Sequence, residues 1–393
     1  MPNLKVVDNT EKQENFDAKV TKHKLFRTIR IVIIVAVIIA GYLFVTNYLD
    51  RKVYTDYTVT ARSVRSDSDT AKYMAYNGHV LKYSQDGVEA FDGLNKTIWN
   101  ITYEMQTPHI ATCENYVAMG DEGATSILVV DGSGNQTTID TRLPIKDFCV
   151  ASQGVVAAVL EDGNATRINV YDKDGNQLAG LKCTMTQSGY PVAIALSPSG
   201  LILGVSYIRM DQGELTSSIA FYNFGDVGQN ETDNYVSGYD YGGSIYPELK
   251  FLNDEAIVAI GDDSLVTFRG SQKPEMVSNN SIDSEIQSVF YGDDEIALVF
   301  RDDKSNDSYK LNLYDSRGKL KLEKEFELAY TDIQISSRQI IIYNESECLI
   351  FNKRGLQKYK GDFDDTVLLM TPTSTPARYY LINREITQMI RLN

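Results

Sequence analysis

Side chains able to ligate a metal or move protons are few in this 393-residue sequence, and they stand far apart. The histidines are His23, His79 and His109, and the cysteines are Cys113, Cys149, Cys183 and Cys348. None falls into a His-x-x-x-His, C-x-x-C or mixed Cys/His spacing, so a tetrahedral metal centre is not expected. Gly-x-Ser-x-Gly is absent, which removes the usual hydrolase elbow. Asp172–Lys173–Asp174–Gly175–Asn176 begins like a calcium loop but lacks the downstream bidentate Glu, and reads better as a hairpin turn. The acid pairs Asp262–Asp263, Asp293–Asp294 and Asp364–Asp365 also fall in turn-like stretches. A glycosidase needs two converging carboxylates at a set separation, and convergence is not something a sequence displays. No catalytic residue, metal or cofactor is therefore expected, and the four cysteines read as free, buried thiols rather than a disulfide framework.

Recognition chemistry is the exception. Asn234–Pro247 reads NYVSGYDYGGSIYP, with Tyr235, Tyr239, Tyr241 and Tyr246 among Gly and Ser. Such mixtures suit adaptable contacts on a loop held by a rigid scaffold. These four tyrosines are the candidate binding residues. The competing reading is a long hairpin whose rings pack onto its neighbours.

The elements that would carry such a loop announce themselves by repetition. Past residue 57 short β-branched and aromatic runs alternate with Gly, Asp and Asn turn signals, the pattern of an all-β domain. One unit recurs: VEAFDGLN from Val88, ILVVDGSG from Ile127, INVYDKDG from Ile168, IAFYNFGD from Ile219, LNLYDSRG from Leu311 and CLIFNKRG from Cys348, with a degraded copy, LVTFRGSQ, from Leu265. Its marker residues Asp92, Asp131, Asp172, Asn223, Arg269, Asp315 and Asn352 are 39, 41, 51, 46, 46 and 37 residues apart. A period near 40–45 with about four strands per unit is that of a β-propeller blade. A further 41 residues end on Asn393, which leaves the last unit one strand short. Residues 58–64 (TVTARSV) can supply it and close the ring, removing the exposed sheet edges. The count is eight blades, with seven as the alternative. In Arg167–Val170 and Lys310–Leu313 the period-two alternation predicts one face packed on a neighbouring blade and a second, more polar one.

Ahead of the propeller, Ile31–Val45 reads IVIIVAVIIAGYLFV without a charge. With the residues around it the run spans 30–49, long enough to cross a bilayer as one helix. At about −0.4 kcal/mol for each Ile, Leu, Val or Phe, insertion is favourable by several kcal/mol. A cleavable signal peptide is the rival, but its charged leader would be unusually long and no small-x-small site closes the run. Residues 1–30 hold seven Lys/Arg against four Asp/Glu, while the rest of the chain holds 31 against 49. The basic flank predicts a cytoplasmic tail (1–29), a single-pass anchor (30–49), a linker (50–56) and an extracellular domain (57–393). An acidic domain repels phosphate backbones, so nucleic acid is not an expected partner.

The first unit goes further. Asp86–Gly87–Val88–Glu89–Ala90–Phe91–Asp92, followed by Trp99, compares with a repeat that runs roughly DG-x-x-x-A-x-D-x-x-T-G-x-x-x-W. Ala90 and Asp92 keep its spacing, Asp86–Gly87 and Trp99 each stand one residue nearer to them, and Asn95 and Lys96 replace its Thr-Gly. This stretch resembles the pyrroloquinoline-quinone-like propellers. The resemblance implies that Trp99, the only Trp in the chain, docks between blades. The quinone enzymes of that superfamily use a vicinal cysteine pair and a calcium site with an Asp base. No adjacent cysteines exist here, so their chemistry is not carried over. The layout of basic tail, anchor and acidic propeller also resembles an uncharacterised family of membrane-anchored propellers from Gram-positive bacteria. The expected function is a non-enzymatic protein-interaction scaffold at the cell membrane, with a membrane or envelope protein as partner. Cell-wall or carbohydrate binding is the alternative.

Overall fold

Each repeat folds into one antiparallel four-stranded sheet, and the strands of each sheet follow chain order. The computed structural model describes residues 27–41, 44, 48, 51–185, 188–211, 213–302 and 307–393. Seven sheets are continuous in sequence: blade 1 (72–102), blade 2 (109–140), blade 3 (145–183), blade 4 (190–241), blade 5 (248–281), blade 6 (286–327) and blade 7 (332–362). Blade 8 joins Leu369–Pro372, Arg378–Ile382 and Ile386–Leu392 to Tyr57–Val64, which pairs antiparallel with Ile386–Leu392 as the fourth strand. The strands of each blade are called a to d from first to last in the sheet. The a strands of blades 2 and 3, 3 and 4, 4 and 5, 6 and 7, and 8 and 1 approach one another, so they ring a central axis. The fold is an eight-bladed β-propeller.

The middle strands show why the repeat reads as it does. Ala256–Ile260 (AIVAI) is buried at every position, because both faces of a blade are covered by its neighbours. Outer strands such as Leu320–Glu327 alternate between exposed and covered residues. The same double coverage modifies the expectation for Arg167–Val170 and Lys310–Leu313. Their second face is polar but not solvated: Asn169 and Asn312 are 6% and 8% exposed. Their amide nitrogens donate to Tyr171 Oη at 3.0 Å and Tyr314 Oη at 3.5 Å, which gives those buried donors an acceptor.

The marker Asp or Asn is the cap of the c–d turn. Its Oδ1 accepts the backbone N–H groups two and four residues on: Leu94 and Lys96 at Asp92, Ser133 and Asn135 at Asp131, Asp174 and Asn176 at Asp172, Arg317 and Lys319 at Asp315, Arg354 and Leu356 at Asn352. A register shift precedes the marker in each of these blades except blade 2, and the bulge twists the strand into the turn. The Asn176 side chain and the turn N–H groups hold the Asp172 carboxyl below the ordinary carboxylate range. A depressed folded-state pKa contributes stability that is present above the unfolded value and lost as pH falls through the folded one. Asp172→Ala should therefore melt lower than the parent at neutral pH, with the gap closing below about pH 4. Thermal melts over a pH series read this directly, and a gap that persists unchanged into acid counts against the cap.

Residues 27–41 are helical, and the large apolar side chains among them, including Ile31, Ile34, Val35 and Ile38, are exposed. Among the described residues no helix is long and apolar enough to cross a membrane. The expected span 30–49 falls partly outside them, at 42, 43, 45–47 and 49, as does most of the basic tail. Residues Tyr54–Asn393 form one compact unit.

Candidate functional site

The tyrosine-rich stretch is not a free loop. Tyr235–Tyr241 is the d strand of blade 4, and the extra length of that repeat lies before it, in two short 3-10 turns at Gly228–Asn230 and Thr232–Asn234. Alternation of Tyr with Gly and Ser is a period-two strand pattern, which explains the difference. Tyr239 Oη donates to the Pro274 carbonyl at 3.3 Å and accepts the Met276 N–H at 3.1 Å, and its ring lies 5.2 Å from that of Phe268. Tyr241 contacts Met276 Sδ and packs on Tyr246, with ring centroids 4.7 Å apart. Tyr246 is 1% exposed and shares its hydroxyl with Ser264 at 2.7 Å. These three rings stitch blade 4 to blade 5. Tyr235 is 46% exposed and leans against Tyr222, so it is the one most available to a partner.

Trp99 sits in strand d of blade 1, 6% exposed, in a cluster with Val117, Met119 and Val130 of blade 2. The c–d turn of blade 2 crosses it at Gly134, whose φ is +85° and whose missing Cβ would stand 2.6 Å from Trp99 Cβ. Only glycine satisfies both demands there. The equivalent contact recurs with other residues: Gly355 of blade 7 faces Leu322 of blade 6, and Gly318 faces Ser278 of blade 5.

The seam between blades 8 and 1 is charged. Asp67, in the link leaving Tyr57–Val64, takes Arg65 Nη2 at 2.5 Å, Lys82 Nζ at 3.0 Å and the Tyr73 hydroxyl at 2.7 Å. Arg65 lies over the Phe91 ring at 4.2 Å and reaches Asn95 and Thr387. Lys82 also pairs with Glu89 at 2.6 Å. Burial works against the Glu89 carboxylate, but Lys82 and Thr97 bond it and keep its pKa below the ordinary value. Glu89 falls at a variable position of the first repeat unit and the other three lie outside it, so no recurring spacing in the sequence singles the four out.

The scattered chemistry stays scattered. Asp262–Asp263 lies in the b–c turn of blade 5, Asp293–Asp294 in the a–b turn of blade 6 and Asp364–Asp365 between blades 7 and 8. Among the described residues no group of His, Cys, Asp and Glu has the arrangement of a metal site. All four cysteines are free. Burial pushes the Cys113 thiol up to about 11, and those of Cys149 and Cys348 up to about 12, so at neutral pH they are thiols and poor nucleophiles. His109 lies 3.8 Å from Asp147 on neighbouring a strands, with its side chain largely exposed. Hollows open at both ends of the ring and in its channel. One of about 510 Å³ lies where blade 5 meets blade 6, at the end that carries the b–c turns and d–a links.

Fold and site together define a propeller of eight blades whose charged and aromatic clusters tie neighbouring blades together. Residues 50–392 match Family of unknown function (DUF5711), and the chain belongs to that family. No curated protein matches it. Among solved structures it is similar to BamB from Moraxella catarrhalis, at 11% identity and a TM-score of 0.48, covering 86% of this chain and 100% of that one. It is similar to the WD40 domain of SCAP from fission yeast, at 8% identity and 0.48, covering 86% and 98%. It is also similar to Hsv2 of Kluyveromyces lactis, at 12% identity and 0.46, covering 74% and 94%. All three TM-scores are below 0.5.

Proposed function

We propose that the protein is a single-pass membrane protein whose extracellular propeller is a non-enzymatic scaffold, holding a membrane or envelope protein at the end of the ring that carries the b–c turns and d–a links. The observation that carries this reading is where the chain enters the ring. Tyr54 N–H bonds the Lys358 carbonyl at 2.7 Å, Thr55 N–H bonds Asn393 at 3.1 Å, and Asn393 N–H bonds Asp56 at 2.9 Å. Lys358 Nζ lies 5.7 Å from the centre of the Tyr54 ring. Entry is thus pinned at the end that carries the a–b and c–d turns. The opposite end of the ring, with its b–c turns and d–a links, is clear of the residues through which the chain enters. Support for the anchor is the uncharged run Ile31–Val45, apolar all round, behind a basic flank. The order Ala90, Asp92, Trp99 and the seam position of Trp99 support placing the repeat among the pyrroloquinoline-quinone-like propellers, as a scaffold without their cofactor.

In-cell crosslinking of tagged full-length protein, followed by capture and mass spectrometry, tests this against a control keeping only residues 1–56. The expected result is one membrane or envelope protein enriched only when the propeller is present. Enrichment of wall material alone would replace the scaffold with a glycan-binding protein. Alkaline extraction checks the anchor: the full chain should stay with the membrane pellet, and residues 54–393 alone should not.

A further inference from the structure

The hollow between blades 5 and 6 has a composition that selects an occupant. Its aliphatic floor includes Ile260 at the end of strand b of blade 5, and Ile286 and Val289 from the a strand of blade 6. Glu248, Asp262 and Glu285 stand around it, supplied by three separate segments. Glu248 accepts the Tyr291 hydroxyl at 2.6 Å, and Asp262 accepts the Ile245 N–H at 3.2 Å. Burial, then the Glu248 charge, pushes the Tyr291 phenol far up, so it donates as a neutral hydroxyl and cancels none of the negative charge. Among the described residues, no Lys or Arg lies within ion-pair distance of any of the three carboxylates.

We propose that this groove docks an extended segment of a partner protein in which an apolar side chain is flanked by Lys or Arg. The proposal rests on the scaffold reading above and names the chemistry of its partner. Charge decides the flanks, since an acidic segment would meet three carboxylates and a strongly acidic domain. The floor decides the centre. No aromatic ring lines the groove, so a sugar has no face to stack on, while a Leu or Ile side chain gains about 25 cal/mol for each Å² it buries. A volume of about 510 Å³ accommodates a few side chains and falls short of a folded domain. The walls are strands and tight turns, so little ordering is needed before binding. Opposite charge across a partly desolvated rim strengthens each ion pair relative to one in open water and speeds encounter at low salt.

The test is selection of a display library of short random peptides on the full-length protein, followed by fluorescence anisotropy with a labelled copy of the enriched peptide. The expected peptides carry an apolar residue between Lys or Arg, and their affinity falls as salt rises. Asp262→Lys with Glu285→Lys should weaken binding about tenfold or more, which corresponds to about 1.4 kcal/mol. Ile286→Ser should weaken it comparably, and Asp293→Lys with Asp294→Lys at the opposite end should not. Both reversed positions in the groove are exposed, so an unchanged melting midpoint verifies that these variants fold. Enrichment of acidic peptides, of none, or of peptides indifferent to the groove variants would overturn the proposal. The same variants in the crosslinking experiment separate the two readings. A partner captured equally by wild type and groove variants removes the groove and leaves the scaffold, whereas no partner with wild type removes the scaffold itself.

Discussion

Asp67→Ala should lower the stability of the propeller by about 3–5 kcal/mol, the cost of breaking a buried ion pair from one side. Both members are covered, with 8% of the Arg65 side chain and 6% of Asp67 exposed. Removal of the carboxylate strands the Arg65 guanidinium between the Phe91 and Tyr73 rings, and its Nε already has no hydrogen-bond partner. Lys82 keeps only Glu89, and the Tyr73 hydroxyl loses its acceptor. Asp67→Asn should cost nearly as much, because shape is preserved while Arg65 loses its counter-charge and Lys82 loses one of two. Replacing both ends, as in Arg65→Met with Asp67→Leu, should recover much of the loss, since the desolvation penalty disappears with the pair. Chemical denaturation of the three variants distinguishes this from a mere packing defect. If Asp67→Ala unfolds at the wild-type midpoint, the cluster is solvated and the seam is held by its apolar contacts alone. Lys82 adds a pH signature. Burial opposes its charge, yet Glu89 and Asp67 raise its pKa overall. Its contribution is therefore complete below the unfolded lysine value and fades as pH rises through the folded one.

The blade count is legible in the sequence and this seam is not, for physical reasons. A c–d turn needs an acceptor for the N–H groups two and four residues ahead, so Asp or Asn recurs wherever that turn does, and the period can be counted from it. Blade 5 shows how little one marker matters. Arg269 replaces the Asx, pairs instead with Glu255 at 2.9 Å, and the sheet forms regardless because its b strand is apolar throughout and its c strand is buried at every position ahead of Arg269. Blade 4 shows the limit in the other direction. Its spacing of 51 residues, from Asp172 to Asn223, is taken up by b and c strands of ten residues each. The loop expected over Asn234–Pro247 is largely a d strand, with the added residues ahead of Tyr235. Strand and loop readings of a Tyr/Gly/Ser alternation differ only in what covers it, and the cover comes from Phe268, Pro274 and Met276 of the next blade. The closing seam and the groove between blades 5 and 6 were illegible for the same reason. Each joins residues of separate links, turns and strands at positions that do not recur from blade to blade. The apolar run before residue 50 is legible as composition, and composition identifies a segment suited to a bilayer without supplying its geometry.

Trp99→Ala should cost about 3–5 kcal/mol, in the range for deleting a large buried aromatic side chain. The indole fills the seam between blades 1 and 2, with the Tyr76 ring edge-on at 6.3 Å and the Gly134 turn pressed against its Cβ. A cavity there is hard to collapse, since Val117, Met119 and Val130 belong to strands fixed by their own sheet. Trp99→Phe should be far milder, about 1–2 kcal/mol. It gives up part of the ring, but it also removes a buried Nε1–H that has no acceptor, a group that costs free energy as it stands. Gly134→Ala attacks the same contact from the other side and meets two penalties, a Cβ overlap and a residue forced to positive φ. The chain provides its own reporter, because this is its only Trp. Emission should be blue-shifted in the native state and shift red when the seam opens. Should the fluorescence and far-ultraviolet circular dichroism transitions coincide, the ring opens as one cooperative unit, and the seam is part of what holds it closed. An earlier fluorescence transition would mean that blades 1 and 2 part while the other sheets persist. A Trp99→Ala midpoint equal to that of Trp99→Phe would show that ring volume does not hold the seam, and would shift its stability onto the Gly134 turn.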